Sequence, residues 1–70
     1  MATLTVTDSA GVQTPFVDEE RKAIDAATKI AKSNPSKRVH IVGTAQDGTA
    51  INLSLTYSST QGILAVDNLA

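Results

Sequence analysis

The chain contains no cysteine and no tryptophan, and it has one phenylalanine and one tyrosine. The absence of cysteine excludes disulfide bonds, and a single histidine cannot supply the ligands of a tetrahedral zinc site. A chain of 70 residues buries only about 60% of the surface that its unfolded form exposes. Because of this shortage of ligands we expect no metal, and we expect no cofactor. A stable fold then depends on tight aliphatic packing or on association with another chain.

The chain also has little net charge and no long apolar segment. Six basic and seven acidic residues give a net charge of -1, which is too little to steer the protein toward nucleic acid. Every apolar run is far shorter than the ~20 residues that cross a bilayer. Residues 1–11 have neither a basic start nor an apolar stretch, so no signal peptide is expected. These features predict a cytoplasmic protein with no nucleic-acid or membrane partner.

The N-terminal residues alternate between apolar side chains and threonine. Ala2, Leu4 and Val6 fall on one face of residues 2–7, and threonines fall on the other. Period two with β-branched residues is typical of a strand. Residues 8–11, Asp-Ser-Ala-Gly, predict a turn that ends this strand, because Asp and Ser can bond nearby backbone groups and Gly tolerates positive φ.

The next segment has the pattern of one amphipathic helix. Thr14 followed by Pro15 is one candidate start, and Asp18 is the other. We expect a fully formed helix from about residue 18, with an earlier turn before it. With Ala27 at its centre, the predicted buried stripe consists of Ala23, Ile24, Ala27, Ile30 and Ala31. Because this stripe is mostly alanine, the sheet must supply the large core side chains.

Residues 38–57 predict a β-hairpin, and the parity of the apolar residues selects its turn. A two-residue loop would mix polar and apolar side chains on both faces, whereas a three-residue loop ending at Gly48 makes both faces uniform. Gly48 then occupies the left-handed position of a type I turn with a bulge. The predicted pairs on the core face are Val39 with Leu55, Ile41 with Leu53 and Gly43 with Ile51.

The C-terminal segment has the weakest pattern. Residues 58–62 predict a loop, and the following residues predict a further strand without clear alternation. Whether residues 63–70 pair within the chain or dock on another subunit is left open. The apolar residues that need a surface to cover them form the candidate oligomer interface: Ile63, Leu64, Val66 and Leu69. The predicted fold is one α+β domain over residues 1–70, β-α-β-β with a further strand, in which one Ala-rich helix packs on a mainly antiparallel sheet.

The polar face of the hairpin carries the candidate binding residues. Threonine is common on a solvated strand face, yet no Lys or Glu occupies the outer positions of the predicted strands, as at many protein interfaces. A basic cluster after the helix could contact an anion, whereas His40 has no recognisable nucleophile or orienting carboxylate around it. The candidate ligand- or partner-binding residues are Lys37, Arg38, His40, Asn52, Ser54 and Thr56.

Three functions are compatible with these residues. The favoured one is a non-enzymatic interaction module that self-associates as a homodimer or larger oligomer. It would bind a protein partner through the polar sheet face or a strand edge, as a small phage-type or regulatory inhibitor does. The second is a protein that binds a small anionic, nucleotide-like ligand in a pocket between subunits. The third and weakest is a small hydrolase that uses His40.

Overall fold

The structure, a computed structural model, describes residues 2–69. The bounds of its elements are β1 Thr3–Thr7, β2 Gln13–Val17, α1 Glu20–Ser33, β3 Arg38–Thr44, β4 Ala50–Ser58 and β5 Ile63–Asn68. The strands form one antiparallel sheet in the order β2-β1-β3-β4-β5, and α1 packs on one face of it. The predicted α+β class is confirmed, and the sheet has one strand, β2, that the sequence analysis did not predict.

β2 lies where a helical turn was expected before residue 18, and that expectation was wrong. Phe16 pairs with Leu4 of β1 and packs against the core, which favours the extended conformation over a helical one. Pro15 is tolerated because β2 is an edge strand. The chain turns from β2 into α1 at Asp18, which has a positive φ of 56° and whose carboxylate accepts a hydrogen bond from the N–H of Ala2 at 3.1 Å.

The predicted turn after β1 is confirmed, and it joins β1 to β2. The carboxylate of Asp8 accepts hydrogen bonds from the N–H groups of Ala10 at 2.9 Å and Val12 at 3.0 Å. Gly11 has a φ of 86°, which only glycine adopts without strain. The N–H of Asp8 donates to the carbonyl of Val12 at 3.1 Å, so this hairpin also closes on a three-residue loop.

The predicted register of the second hairpin is confirmed. Val39 pairs with Leu55 and Ile41 pairs with Leu53. The N–H of Gly48 donates to the carbonyl of Ala45 at 3.0 Å, and Gly48 has the expected positive φ, 90°. A three-residue loop ending in a left-handed glycine therefore sets which side chains of β3 and β4 face α1.

The core lies between α1 and the sheet. Ala23, Ala27 and Ala31 are fully buried, as the helical wheel predicts, and they let the helix axis approach the sheet closely. Ile30 is half-buried, but Ile24 is exposed, so its place in the predicted stripe was wrong. The large core side chains come from the sheet, and the fully buried ones are Leu4, Val6, Val39 and Ile41.

The C-terminal segment forms an edge strand within the chain. β5 pairs with β4, so that Leu64 lies opposite Tyr57 and Val66 lies opposite Leu55. Leu64 is half-buried and packs against the core, whereas Val66 is exposed. The pairing of Ile63–Asn68 with β4 answers the question that the sequence left open for these residues.

Candidate functional site

One face of the sheet packs against α1, and the opposite face has no covering layer in the described residues. We call this second surface the open face. The strand registers assign to it the odd-numbered residues of β1, β2 and β5 and the even-numbered residues of β3 and β4. It extends across all five strands and holds most of the candidate binding residues.

The registers bring five of the six candidate binding residues together. Arg38 lies opposite Thr56, His40 lies opposite Ser54, and Asn52 lies opposite Val42 on the same face. Arg38 is exposed, whereas His40, Asn52 and Thr56 are half-buried.

Lys37, the sixth candidate binding residue, does not lie on a strand of the sheet. It precedes β3 in the exposed connection from α1, and its backbone N–H donates to the carbonyl of Asn34 at 3.2 Å. Lys37 therefore lies next to Arg38 in the chain but outside the strand that holds Arg38 and His40.

Ser54 is the one buried polar side chain among the described residues. It is only 2% exposed although it belongs to the open face, and its Oγ has no hydrogen-bond partner. Its neighbours across the strands are His40 on β3 and Asp67 on β5. A small residue between larger ones in the same row is shielded from solvent. The hydroxyl loses hydration without a compensating hydrogen bond, which costs about 1–3 kcal/mol.

Asp67 is a member of this row that sequence reasoning missed. β5 lacks apolar–polar alternation, so its face assignment depends on pairing with β4. The register places Asp67 directly opposite Ser54. The available sequence signal was only that Asp67 follows an apolar run, and that does not specify a face.

The row of His40, Ser54 and Asp67 does not have the arrangement of a nucleophilic relay. In such a relay the histidine lies between the nucleophile and the carboxylate, whereas here Ser54 lies between the other two residues. The Oγ is also buried. Asp67 further places a negative charge two strands from His40, which opposes binding of an anion at this position.

Charge is concentrated on the outer surface of α1, away from the open face. The exposed charged residues of α1 are Arg21, Lys22, Asp25, Lys29 and Lys32. The Nζ of Lys22 forms an ion pair with Glu19 at 2.9 Å, and this hydrogen bond raises the pKa of Lys22. The open face, in contrast, carries only Arg38, His40 and Asp67 as titratable residues on its strand positions.

The residues predicted to form an oligomer interface separate into two groups. Leu64 packs against the chain's own core. Ile63, Val66 and Leu69 are 56%, 54% and 53% exposed. Of the four predicted interface residues, these three are therefore exposed and available to another chain.

No family model, curated protein or solved structure matches this chain. Residues 2–69 form no pocket and bring no three His, Cys, Asp or Glu side chains into a metal-binding group. The helix that these residues contain is too short and too polar to cross a membrane. What the described residues offer is an uncovered, weakly charged sheet face next to an edge strand with exposed apolar side chains.

Proposed function

We propose that this protein is a non-enzymatic interaction module that self-associates and binds a protein partner through its open face. The observation that carries the proposal is the uncovered five-stranded face with few charges. A sheet normally buries one face against another layer, and here α1 occupies only one side. The open face is the side that α1 leaves uncovered, and a partner's surface would pack there as a third layer.

The composition of the open face suits a protein partner. Val42 is 48% exposed at the centre of the sheet and lies between Thr5 on β1 and Asn52 on β4. Protein interfaces combine apolar centres with hydrogen-bonding groups and are depleted in Lys and Glu. Neither residue type occupies a strand position of the open face. Threonine and asparagine can bond to a partner there without the desolvation cost of a full charge.

The described residues place no further layer on the open face, so the protein would act by covering the surface of its partner. A small regulatory inhibitor acts in this way. The alternative function, capture of a small anion, receives less support. Lys37 lies outside β3, and the carboxylate of Asp67 belongs to the same row as His40 and Ser54.

A site-specific photo-crosslinking experiment tests the proposal. A benzophenone amino acid at Val42 should yield a discrete heterologous crosslinked product in cells. The same group at Lys29, on the outer surface of α1, should not. Thr5→Lys places a charge beside Val42 and should remove the product, while circular dichroism shows that the fold is retained. Identical products from Val42 and Lys29, or no loss with Thr5→Lys, would contradict docking on the open face.

A further inference from the structure

The two edges of the sheet differ in their capacity to pair with another strand. In β2, the hydrogen bond from the N–H of Asp18 to Ala2 and the alternation of an antiparallel ladder direct the backbone groups of Pro15 outward. Proline has no N–H, so the middle of this edge lacks a donor. Natural sheets use proline in this position to prevent edge pairing.

The β5 edge has no such protection. The N–H of Leu69 donates to the carbonyl of Asn52 at 2.7 Å, so alternation directs the backbone groups of Ile63, Ala65 and Asp67 toward β4. Those of Leu64 and Val66 point outward, each with a donor and an acceptor. β5 contains neither proline nor lysine.

We propose that β5 pairs antiparallel with β5 of a second copy of this chain, around a twofold axis at Val66. This inference rests on the proposed function, whose self-association it makes specific. In this register Val66 lies opposite Val66 of the second copy, and Ile63 lies opposite Leu69. Asp67 lies opposite Ala65. The two sheets become one continuous sheet, and all three exposed apolar side chains of the edge gain an apolar partner.

Neighbouring registers fit less well. An axis at Ala65 would place Ile63 opposite Asp67 of the second copy and leave Leu69 without an apolar partner. An axis at Leu64 would place Val66 opposite Gly62, which has no side chain to cover it. Only the axis at Val66 pairs the exposed apolar residues with one another, and a twofold contact needs this kind of self-complementarity.

Cysteine crosslinking tests the register, because the chain has no cysteine of its own. Ile63 and Leu69 of the second copy form a non-hydrogen-bonded pair, whose Cα atoms are about 4.5 Å apart in antiparallel sheets. This separation lies in the disulfide range of about 4.4–6.8 Å. Ile63→Cys mixed with Leu69→Cys in a glutathione redox buffer should give a mixed disulfide dimer. Ile63→Cys mixed with Asp67→Cys tests the neighbouring register and should give much less.

Sedimentation equilibrium of the full chain tests the edge itself. The wild-type chain should be a dimer at micromolar concentration. Val66→Pro copies at β5 the proline that protects β2 and removes only an outward-directed N–H, so it should give a folded monomer. Val66→Lys, which places two like charges opposite each other at the axis, should raise the dissociation constant about tenfold or more. It provides a second test if the proline variant does not fold.

The outcomes separate this inference from the wider function. A monomeric wild type overturns pairing at β5. So does a disulfide between Ile63→Cys and Leu69→Cys that is no more abundant than the one Ile63→Cys forms with Val12→Cys, a variant in an exposed loop. A dimer that crosslinks through Val42→Cys overturns it in favour of open-face stacking and leaves self-association standing. Preferential crosslinking in the Ile63–Asp67 combination also overturns the axis at Val66. A monomeric wild type that still forms the Val42 photo-crosslink would retain partner binding without this dimer.

Discussion

Gly43 lies on the central strand β3 where the backbone of β1 leaves no room for a Cβ, and Gly43→Ala is the substitution for which the structure makes the strongest prediction. The residue pairs with Leu4 of β1 on one side and with Ile51 of β4 on the other. Its φ is 153°, a conformation that L side chains rarely adopt. A Cβ added there would overlap the carbonyl oxygen of Thr3 and lie 2.9 Å from its carbonyl carbon and 3.0 Å from the Cα of Leu4.

The expected cost has two parts. The unfavourable φ costs a side-chain-bearing residue about 1–3 kcal/mol. Overpacking costs about 1–3 kcal/mol more, because the obstructing atoms are backbone and cannot rotate away. Together these predict a loss of about 2–6 kcal/mol in the free energy of unfolding. A chain of 70 residues has about 4–10 kcal/mol in total, so Gly43→Ala should remove much of the stability or prevent folding.

Urea denaturation followed by circular dichroism measures this loss, and Gly48→Ala is the matched control. Gly48 also has a positive φ, but a Cβ there would meet no atom within 4 Å. The control should therefore show only the backbone part, about 1–2 kcal/mol. A Gly43→Ala protein as stable as the Gly48→Ala protein would refute the proposed clash with β1.

Three further predictions concern the helix contact, the open face and the second hairpin turn. Ala27→Leu should lower the free energy of unfolding by about 1–3 kcal/mol, because Ala27 is fully buried against the sheet; urea titration beside Asp25→Leu, a change at an exposed position, measures the difference. Ser54→Ala should be neutral or stabilising in the same assay, because it removes a buried hydroxyl without a partner; a loss above about 1 kcal/mol would mean that the hydroxyl is bonded. Hydrogen bonds from the Thr49 side chain and N–H lower the pKa of Asp47, so the stability from this carboxylate should be present at neutral pH and decline as the pH falls below 3.8 through the lowered pKa. NMR titration should show an upward shift of the Asp47 pKa in Thr49→Val.

The sequence by itself determined the features that depend on local periodicity and turn chemistry. Parity selected the three-residue loop ending at Gly48 and with it the pairing of Val39 with Leu55. The alanine spacing of α1 predicted its buried stripe around Ala27. A one-residue slip would move every side chain of a strand to the other face, so the apolar pattern specifies the register strongly. The open-face positions of Arg38 and His40 followed from the same rule.

The same rule also applies to the first hairpin, where the signal was local but incomplete. Asp8 to Gly11 has the turn chemistry of a three-residue loop, and the corresponding pairing places Phe16 opposite Leu4. Thr14 and Pro15 nevertheless resemble a helix start as closely as an edge strand. The pairing of Phe16 with Leu4 and its contact with the core decide between the two conformations.

Only the tertiary structure decided the surroundings of the candidate surfaces. Asp67 lies beside Ser54 because β5 pairs with β4, and the apolar pattern of β5 has no period that specifies this register. Val66 remains exposed on the helix side of the sheet while Leu64 is partly covered, although both are aliphatic residues on one face of one strand. A single helix covers only part of a five-stranded sheet, and this partial coverage leaves Val66 exposed while Leu64 is half-buried. It is a property of packing between distant segments, which local sequence patterns do not encode.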